Sequence, residues 1–319
     1  MNKLLKYLIL PCLAISGVSC LKQGDALCDS YVRFEYDYNI HDVDLFYKQA
    51  SRIDLFMFDG EGVYLGIISA QSDGATFDRD YRMRLPEGLG QDTEFIAWSG
   101  LYPDSFNHTQ LTPGTSTMSD LIVALNASAG SQSDKNLASL WFGKLEGGLI
   151  KYENEVNCIK LMKNTNNIRI VLDPRDSEAS LDVADFAFSF TAKNNSYDYK
   201  NAVADQSERT YVPFEAKNDV GSGTVVVEIS TLRLLENNDN HLLITYSGQV
   251  TPVLDVDLTP YLNALKPHKH TNMPLQEYLD REDEYNIIVF LSRETEAGAG
   301  KWLSTKITTL EWIDREQEM

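Results

Sequence analysis

The residues with the clearest chemistry stand near the N-terminus, where Ser16-Gly17-Val18-Ser19-Cys20 closes a short apolar run. Lys3 and Lys6 precede an apolar stretch from Leu8 to Val18 that is broken only by Pro11 and small residues. A bilayer-spanning helix needs ~20 apolar residues, so this stretch has the length of a signal-peptide core instead. Small residues running into a cysteine have the form of a bacterial lipobox. Cleavage between Ser19 and Cys20 would leave Cys20 at the mature N-terminus with lipid on its thiol. Gly17 stands where Leu or Val is more usual, and a plainly secreted chain with an incidental cysteine is the alternative.

Of the other cysteines, Cys12 leaves with the leader, which leaves Cys28 and Cys158 in an exported, oxidising compartment. A disulfide between them would close a long loop, worth about 4–5 kcal/mol in the chain-entropy account. Two separate buried thiols is the equal alternative, because spacing does not show that their Cα atoms are close.

Few residues combine into a catalytic set. His41, His108, His241, His268 and His270 are scattered. His268-Lys269-His270 could offer two imidazoles to a metal, yet no Cys or carboxylate lies at ligand spacing, and Pro267 favours a solvated loop. Asp37, Asn39, Asp42 and Asp44 resemble half of a calcium loop without its central Gly and distal Glu. Asx turns and a helix cap account for them better. Gly60-Glu61-Gly62 and Gly221-Ser222-Gly223 fall in hairpin turns with no following helix to hold a phosphate. There is no Gly-x-Ser-x-Gly elbow, and neither mature cysteine has a nearby His. Trp98, Trp141, Trp302 and Trp312 could build a sugar-stacking platform, but each lies in an apolar strand, where core burial is the default. The expectation is a non-enzyme with no catalytic residues, metal, cofactor or small-molecule substrate.

The elements that carry these residues are strands. The 319-residue chain is 43% hydrophobic and 10% aromatic, enough to build real cores, and carries a formal charge of −19. Such acidity disfavours nucleic acid and electrostatic docking to anionic headgroups. Attachment to a membrane would rest on acyl chains, at ~0.8 kcal/mol per buried CH2. Alternation or apolar runs predict strands at 30–36, 52–58, 63–69, 80–85, 93–99, 140–143 and 152–161, then 166–172, 185–192, 210–214, 224–232, 242–256, 285–292 and 301–312. Phe186, Phe188 and Phe190 should share one face. Short helices are expected over 42–50, capped by Asp42, around Met118, Leu121, Ile122 and Leu125, from an N-cap at Thr259 with Pro260 following, and over 274–279. The fold class is therefore all-β, with a few short helices. The predicted organisation is a signal peptide over 1–19, a lipidated tether over 20–29, an N-terminal β-sandwich over 30–164 and a C-terminal one over 165–319. A single large sandwich or barrel is the alternative.

Several stretches, in order, resemble the FimB-type fimbrial anchor lipoproteins of Bacteroidales, part of the type V pilus system. They are Cys28 with Val32-Arg33-Phe34-Glu35-Tyr36-Asp37-Tyr38-Asn39, then Ile53 to Gly62, Leu140-Trp141-Phe142-Gly143, Val156 to Leu161 and Asn167 to Leu172. The most specific is Gln276-Glu277-Tyr278-Leu279-Asp280-Arg281-Glu282-Asp283-Glu284-Tyr285, followed by Ile287 to Leu291, and the chain closes on a Trp-containing strand, Ile307 to Trp312. The resemblance implies two transthyretin-like β-sandwiches in an outer-membrane lipoprotein exposed at the cell surface. Its partners would be the fimbrial major subunit or other pilins, joined by strand addition, and its role would support adhesion. The candidate donor strand is Trp302 to Trp312, with Leu303, Ile307, Leu310 and Trp312 as its apolar members. They do not keep one alternation, so a bulge or an ordinary self-paired last strand stays open. Arg33 and Arg52 lie near the region where major pilins of this system carry a protease site, but neither stands in an exposed linker. That favours a base or accessory subunit. A surface glycan-binding lipoprotein with exposed Trp or Tyr platforms is the rival reading.

Overall fold

The computed structural model describes residues 30–126, 132–150, 156–175, 181–294 and 301–309. Ser19, Cys20, Cys28, Leu310 and Trp312 lie outside the described residues. In chain order the first strands are β1 (Tyr31–Glu35), β2 (Arg52–Phe58), β3 (Tyr64–Gln71), β4 (Met83–Arg84), β5 (Glu94–Ser99), β6 (Phe106–His108) and β7 (Val123–Leu125). Next come β8 (Gln132–Ser133), β9 (Trp141–Lys144), β10 (Asn157–Lys163), β11 (Thr165–Asp173), β12 (Phe186–Ala192), β13 (Ser196–Tyr197) and β14 (Val203–Asp205). The last are β15 (Arg209–Tyr211), β16 (Glu215–Asp219), β17 (Thr224–Leu232), β18 (His241–Tyr246), β19 (Leu254–Asp257), β20 (Glu284–Glu294) and β21 (Lys301–Thr309). Three short helices, α1 (Phe46–Gln49), α2 (Leu258–Ala264) and α3 (Leu275–Arg281), complete the set.

A seven-stranded sheet, β3-β2-β5-β9-β10-β1-β4, dominates the N-terminal part. It is covered on both faces, which is why β2 reads as a nearly continuous apolar run. Ile53, Leu55 and Met57 point into one core with Phe34, Phe46, Phe95, Trp141 and Ile159. Phe56 and Phe58 point into the other with Trp98, Phe106, Leu121 and Val123. That second core continues into the C-terminal part, where two five-stranded sheets, β16-β17-β11-β20-β21 and β19-β18-β12-β15-β8, are joined by one set of buried side chains. Ile168, Ile170, Leu172, Val227 and Val289 of one sheet share it with Phe186, Phe188, Phe190 and Ile244 of the other. The architecture is an all-β sandwich.

Strand pairing crosses the point after residue 164. A four-stranded sheet, β14-β13-β7-β6, takes strands from both sides of it, and β8 pairs in parallel with β15. Asn164 stands at the crossing, donating its side-chain amide to Asn201 Oδ1 at 2.7 Å and its backbone N–H to Leu140 O at 2.7 Å.

Five expected elements differ. The helix over 42–50 shrinks to the single turn of α1, because Asp42 takes a left-handed φ of 54°. Asp44 holds the turn instead, its Oδ1 accepting from Phe46 N and Tyr36 N, both at 3.0 Å. The stretch from Met118 is a 3-10 turn over Met118–Asp120 leading into β7. Its buried residues Leu121, Val123 and Leu125 follow the period of a strand. The cap of α2 is Asp257, accepting from Thr259 N at 2.9 Å, so Pro260 sits at the third helical position. The expected strand over 242–256 is two strands, β18 and β19, and that over 80–85 shortens to β4.

Candidate functional site

The first described strand is paired on both sides, second from the edge of its sheet. β1 lies between β4 and β10 and runs parallel to β10, with Arg33 opposite Cys158 and Glu35 opposite Lys160. Lys160 pairs with Asp37 at 2.5 Å and with Glu35, and these two partners hold its ammonium well above the ordinary lysine range. Among the described residues Cys158 is a free, half-buried thiol, which burial and the neighbouring Glu35 push up to about 11. Cys28, its expected disulfide partner, is outside the described residues.

The Asp37–Asp44 segment that resembles half a calcium loop works as a latch. Asn39 is buried and donates to Tyr36 O at 2.8 Å and Val43 O at 2.7 Å, which rigidifies the turn. Asp42 accepts from Arg281 Nη1 at 2.6 Å, and Ile40 N donates to Arg281 O at 2.9 Å. The Arg281 guanidinium lies 4.3 Å from the centre of the Tyr38 ring, and its Nε donates to Glu277 at 2.9 Å. The Gln276–Tyr285 motif thus holds the loop after β1 against α3.

The same motif is tied to the strand crossing behind it. Lys163 forms an ion pair with Asp283, and its ammonium stands 5.5 Å from the Trp141 ring centre. Asp283 O accepts from Asn167 N at 2.8 Å. Arg233 reaches Asp280 at 3.5 Å, and Gln276 Nε2 donates to Asp280 at 2.7 Å. Burial pushes the Glu282 carboxyl up to about 7, with Asp283 and Glu284 adding to it, while the N–H groups of Glu284 and Asp283 pull it down. Sequence reasoning missed Lys163, Arg233 and Arg281 as clamps; the density of charge in Gln276–Tyr285 was the available signal.

At the other end, β21 occupies a sheet edge, paired antiparallel with β20. The register slips between Phe290 and Leu291. That bulge turns Leu303 and Ile307, the candidate donor residues among those described, to opposite faces of β21. Leu303 and Ile307 are half-buried and paired within their own chain, while Trp302 is buried. The first part of the outer edge is covered. Trp302 N donates to Gln249 Oε1 at 2.8 Å, and Ser304 N to Val253 O at 3.3 Å.

Trp98, Trp141 and Trp302 are 0%, 3% and 4% exposed, so none of them forms a surface platform. Trp98 packs edge-on against Phe142, and Trp141 against Tyr36. The histidines serve separate elements: His108 stands edge-on to Phe56, His241 pairs with Asp255 at 2.6 Å, and His270 is buried beside Tyr278. Among the described residues no three His, Cys, Asp or Glu side chains converge as a metal-holding group. No helix among them is long and apolar enough to cross a membrane.

Stacked sheets around shared apolar cores define the class as an all-β sandwich protein. The family model for fimbrillin-A associated anchor proteins Mfa1 and Mfa2 matches residues 25–318. The chain belongs to that family. The family is one of fimbrial anchors, a structural and non-enzymatic kind located at the cell envelope in association with fimbrial subunits. No curated protein matches the chain. Among solved structures, one provisionally described as a polysaccharide-binding protein from Bacteroides thetaiotaomicron is 29% identical, with 91% of this chain and 99% of that chain covered at a TM-score of 0.76. A provisionally described adhesin from the same organism is 30% identical, with 89% and 96% covered at a TM-score of 0.75. The fimbrial anchor protein Mfa2 from Porphyromonas gingivalis shares the fold at 17% identity, 89% and 97% coverage and a TM-score of 0.66.

Proposed function

We propose that the chain is an outer-membrane lipoprotein, acylated at Cys20 and exposed at the cell surface, that anchors a fimbrium or serves as its accessory subunit through strand addition with pilins. The observation that carries this reading is the family match over residues 25–318, which begins just after the lipobox. The geometry suits it. A tether over 20–29 leads into β1, which is flanked by β4 and β10 and backed by the Arg281 latch. Tension from the lipid would therefore enter a strand paired on both sides, along four register positions with β10 and two with β4, and not an unpaired edge. At the far end β21 offers a strand at a sheet edge. Donating it would exchange its pairing with β20 for pairing with a neighbour of the fibre; retaining it leaves the edge for addition.

Mass spectrometry of the mature N-terminus tests the attachment. A di- or triacylated Cys20 is expected, and a free, unacylated terminus refutes it. The rival glycan-binding reading is favoured by the description of one structural relative. It requires exposed aromatic platforms, which Trp98, Trp141 and Trp302 do not supply. Retention on a glycan array, lost on replacing an exposed Tyr, would support it.

A further inference from the structure

The edges of the four sheets are not equally defended. β4 and β8 are two residues long, and β6 and β14 are three. β16 carries Glu215, Lys217 and Asp219 on a fully exposed strand, and β19 carries Asp255 and Asp257. β21 carries Lys301 and Lys306, with residues 249–253 over its first part. Charge, brevity and cover are the usual protections against adventitious pairing. The remaining edge, β3, is an eight-residue strand, Tyr64-Leu65-Gly66-Ile67-Ile68-Ser69-Ala70-Gln71, with no charge and no proline.

Its hydrogen-bonding direction follows from the register. Ser72 N donates to Ser51 O at 2.8 Å, so that pair faces inward. Alternation then turns the N–H and C=O of Gly66, Ile68 and Ala70 toward β2, and those of Ile67, Ser69 and Gln71 outward. Among the described residues no backbone partner meets these three on the outer side. Only the start of the strand is closed: Tyr64 N donates to Ser116 O at 2.8 Å, Gly114 N donates to Tyr64 O at 2.9 Å, and Val63 forms an antiparallel bridge with Thr117. The edge thus already accepts an antiparallel neighbour for one turn and is then left open.

The side chains agree. Leu65 is 41% and Ile67 38% exposed, and every second residue from Leu65 to Gln71 is exposed, so these two form one apolar strip. Beside Ile67, on the same face of the sheet, stands Phe56, its partner across the β2–β3 ladder, with His108 of the edge strand β6 5.2 Å from Phe56.

We infer that the β3 edge is a docking site for one extended strand of a fimbrial subunit, neutral or basic, with β-branched or aromatic side chains at the alternate positions that meet Leu65 and Ile67. This rests on the fimbrial reading above. Only an extended backbone satisfies outward N–H and C=O groups at every second residue. The charge selects against a second copy of this chain: the full sequence is strongly acidic at −19, the more so without Lys3 and Lys6, and the strip is flanked by Asp59 and Glu61 at one end and Asp73 and Asp78 at the other.

The test places a photo-crosslinking residue at the edge in the full chain, Gln71→p-benzoylphenylalanine, in cells that assemble fibres, with Lys306→p-benzoylphenylalanine on β21 as the comparison. The expected result is a covalent adduct at position 71 with a fimbrial subunit, identified by mass spectrometry. That adduct should fall about tenfold in Leu65→Lys/Ile67→Lys and persist in Ile67→Val. Both variants are first checked for an unchanged unfolding midpoint; if the double lysine variant unfolds early, Ser72→Lys just beyond the strand gives the charged block without touching the strip. Fimbrial adducts at position 306 but none at 71, or adducts at 71 only with a second copy of this chain, overturn the edge assignment and leave the fimbrial reading standing. Absence of fimbrial adducts at both positions, with fibres still cell-bound when the gene is deleted, overturns both.

Discussion

Removing Lys163 should unfasten the junction between the first sheet and the segment after α3. Its side chain is 10% exposed and that of Asp283 17%, so solvent screens the pair little. Replacing the lysine by Met keeps the aliphatic stem against Trp141 and deletes the charge. Asp283 is then left beside Glu282 and Glu284, two carboxyls that burial already holds above the ordinary range. Stranding a buried charge in this way costs about 3–5 kcal/mol. At about 2 °C per kcal/mol for a chain of this size, the unfolding midpoint of Lys163→Met should fall by about 6–10 °C. The deficit should shrink on acidification. Carboxyls raised in the folded state stabilise it below their unfolded values and lose that contribution as pH rises through the folded ones. Calorimetry at pH 5 and pH 8 reads both effects. Lys163→Met/Asp283→Leu should recover most of the loss, since no charge is stranded. A fall of under about 2 °C at pH 8, or a double variant no better than the single, would show that Lys163 does not neutralise a buried charge at this junction.

Glu282→Gln should flatten the pH dependence of stability. In the unaltered chain the contribution of Glu282 is present below about 4.3 and is lost as pH rises through about 7, so the variant should gain on the parent between pH 5 and 8 by chemical denaturation. Arg281→Ala removes the bonds to Asp42 and Glu277 and the contact with Tyr38 while leaving the Ile40 N to Arg281 O bond. Amide exchange should accelerate over residues 38–44 and stay unchanged in β18; equal acceleration in both would dismiss a local latch. With its pKa pushed up to about 11, Cys158 should resist alkylation at pH 8 in the folded protein. After denaturation without reductant, labelling of both Cys28 and Cys158 rules out a disulfide between them, and protection of both supports one.

Much of the scaffold was legible because burial leaves a period in the sequence. β2 and β17 match their expected bounds, one as an apolar run between two cores and the other as a valine-rich central strand. Phe186, Phe188 and Phe190 share a buried face as alternation requires. Local exceptions came from competition between readings. Met118, Leu121, Ile122 and Leu125 fit a helical face, but Leu121, Val123 and Leu125 fit a strand equally well, and pairing with β6 and β13 decides it. The clamps were not legible, because they join residues far apart in the chain. Arg281 meets Asp42, and Lys163 meets Asp283, through the tertiary fold alone. Nor did spacing reveal that β6 and β7 pair into one sheet with β13 and β14 across residue 164. The unprotected edge could have been read: the run from Tyr64 to Gln71 lacks any charge, and only its place at the rim of the sheet was missing.

On the proposed reading, lipid on Cys20 ties a fimbrium to the outer membrane. Electron microscopy and immunoblotting of cells and culture medium, for the gene deletion and for Cys20→Ala, test it most directly. Both strains should shed fibres into the medium or alter their length. Fully cell-bound fibres of unchanged length in the deletion strain would contradict it.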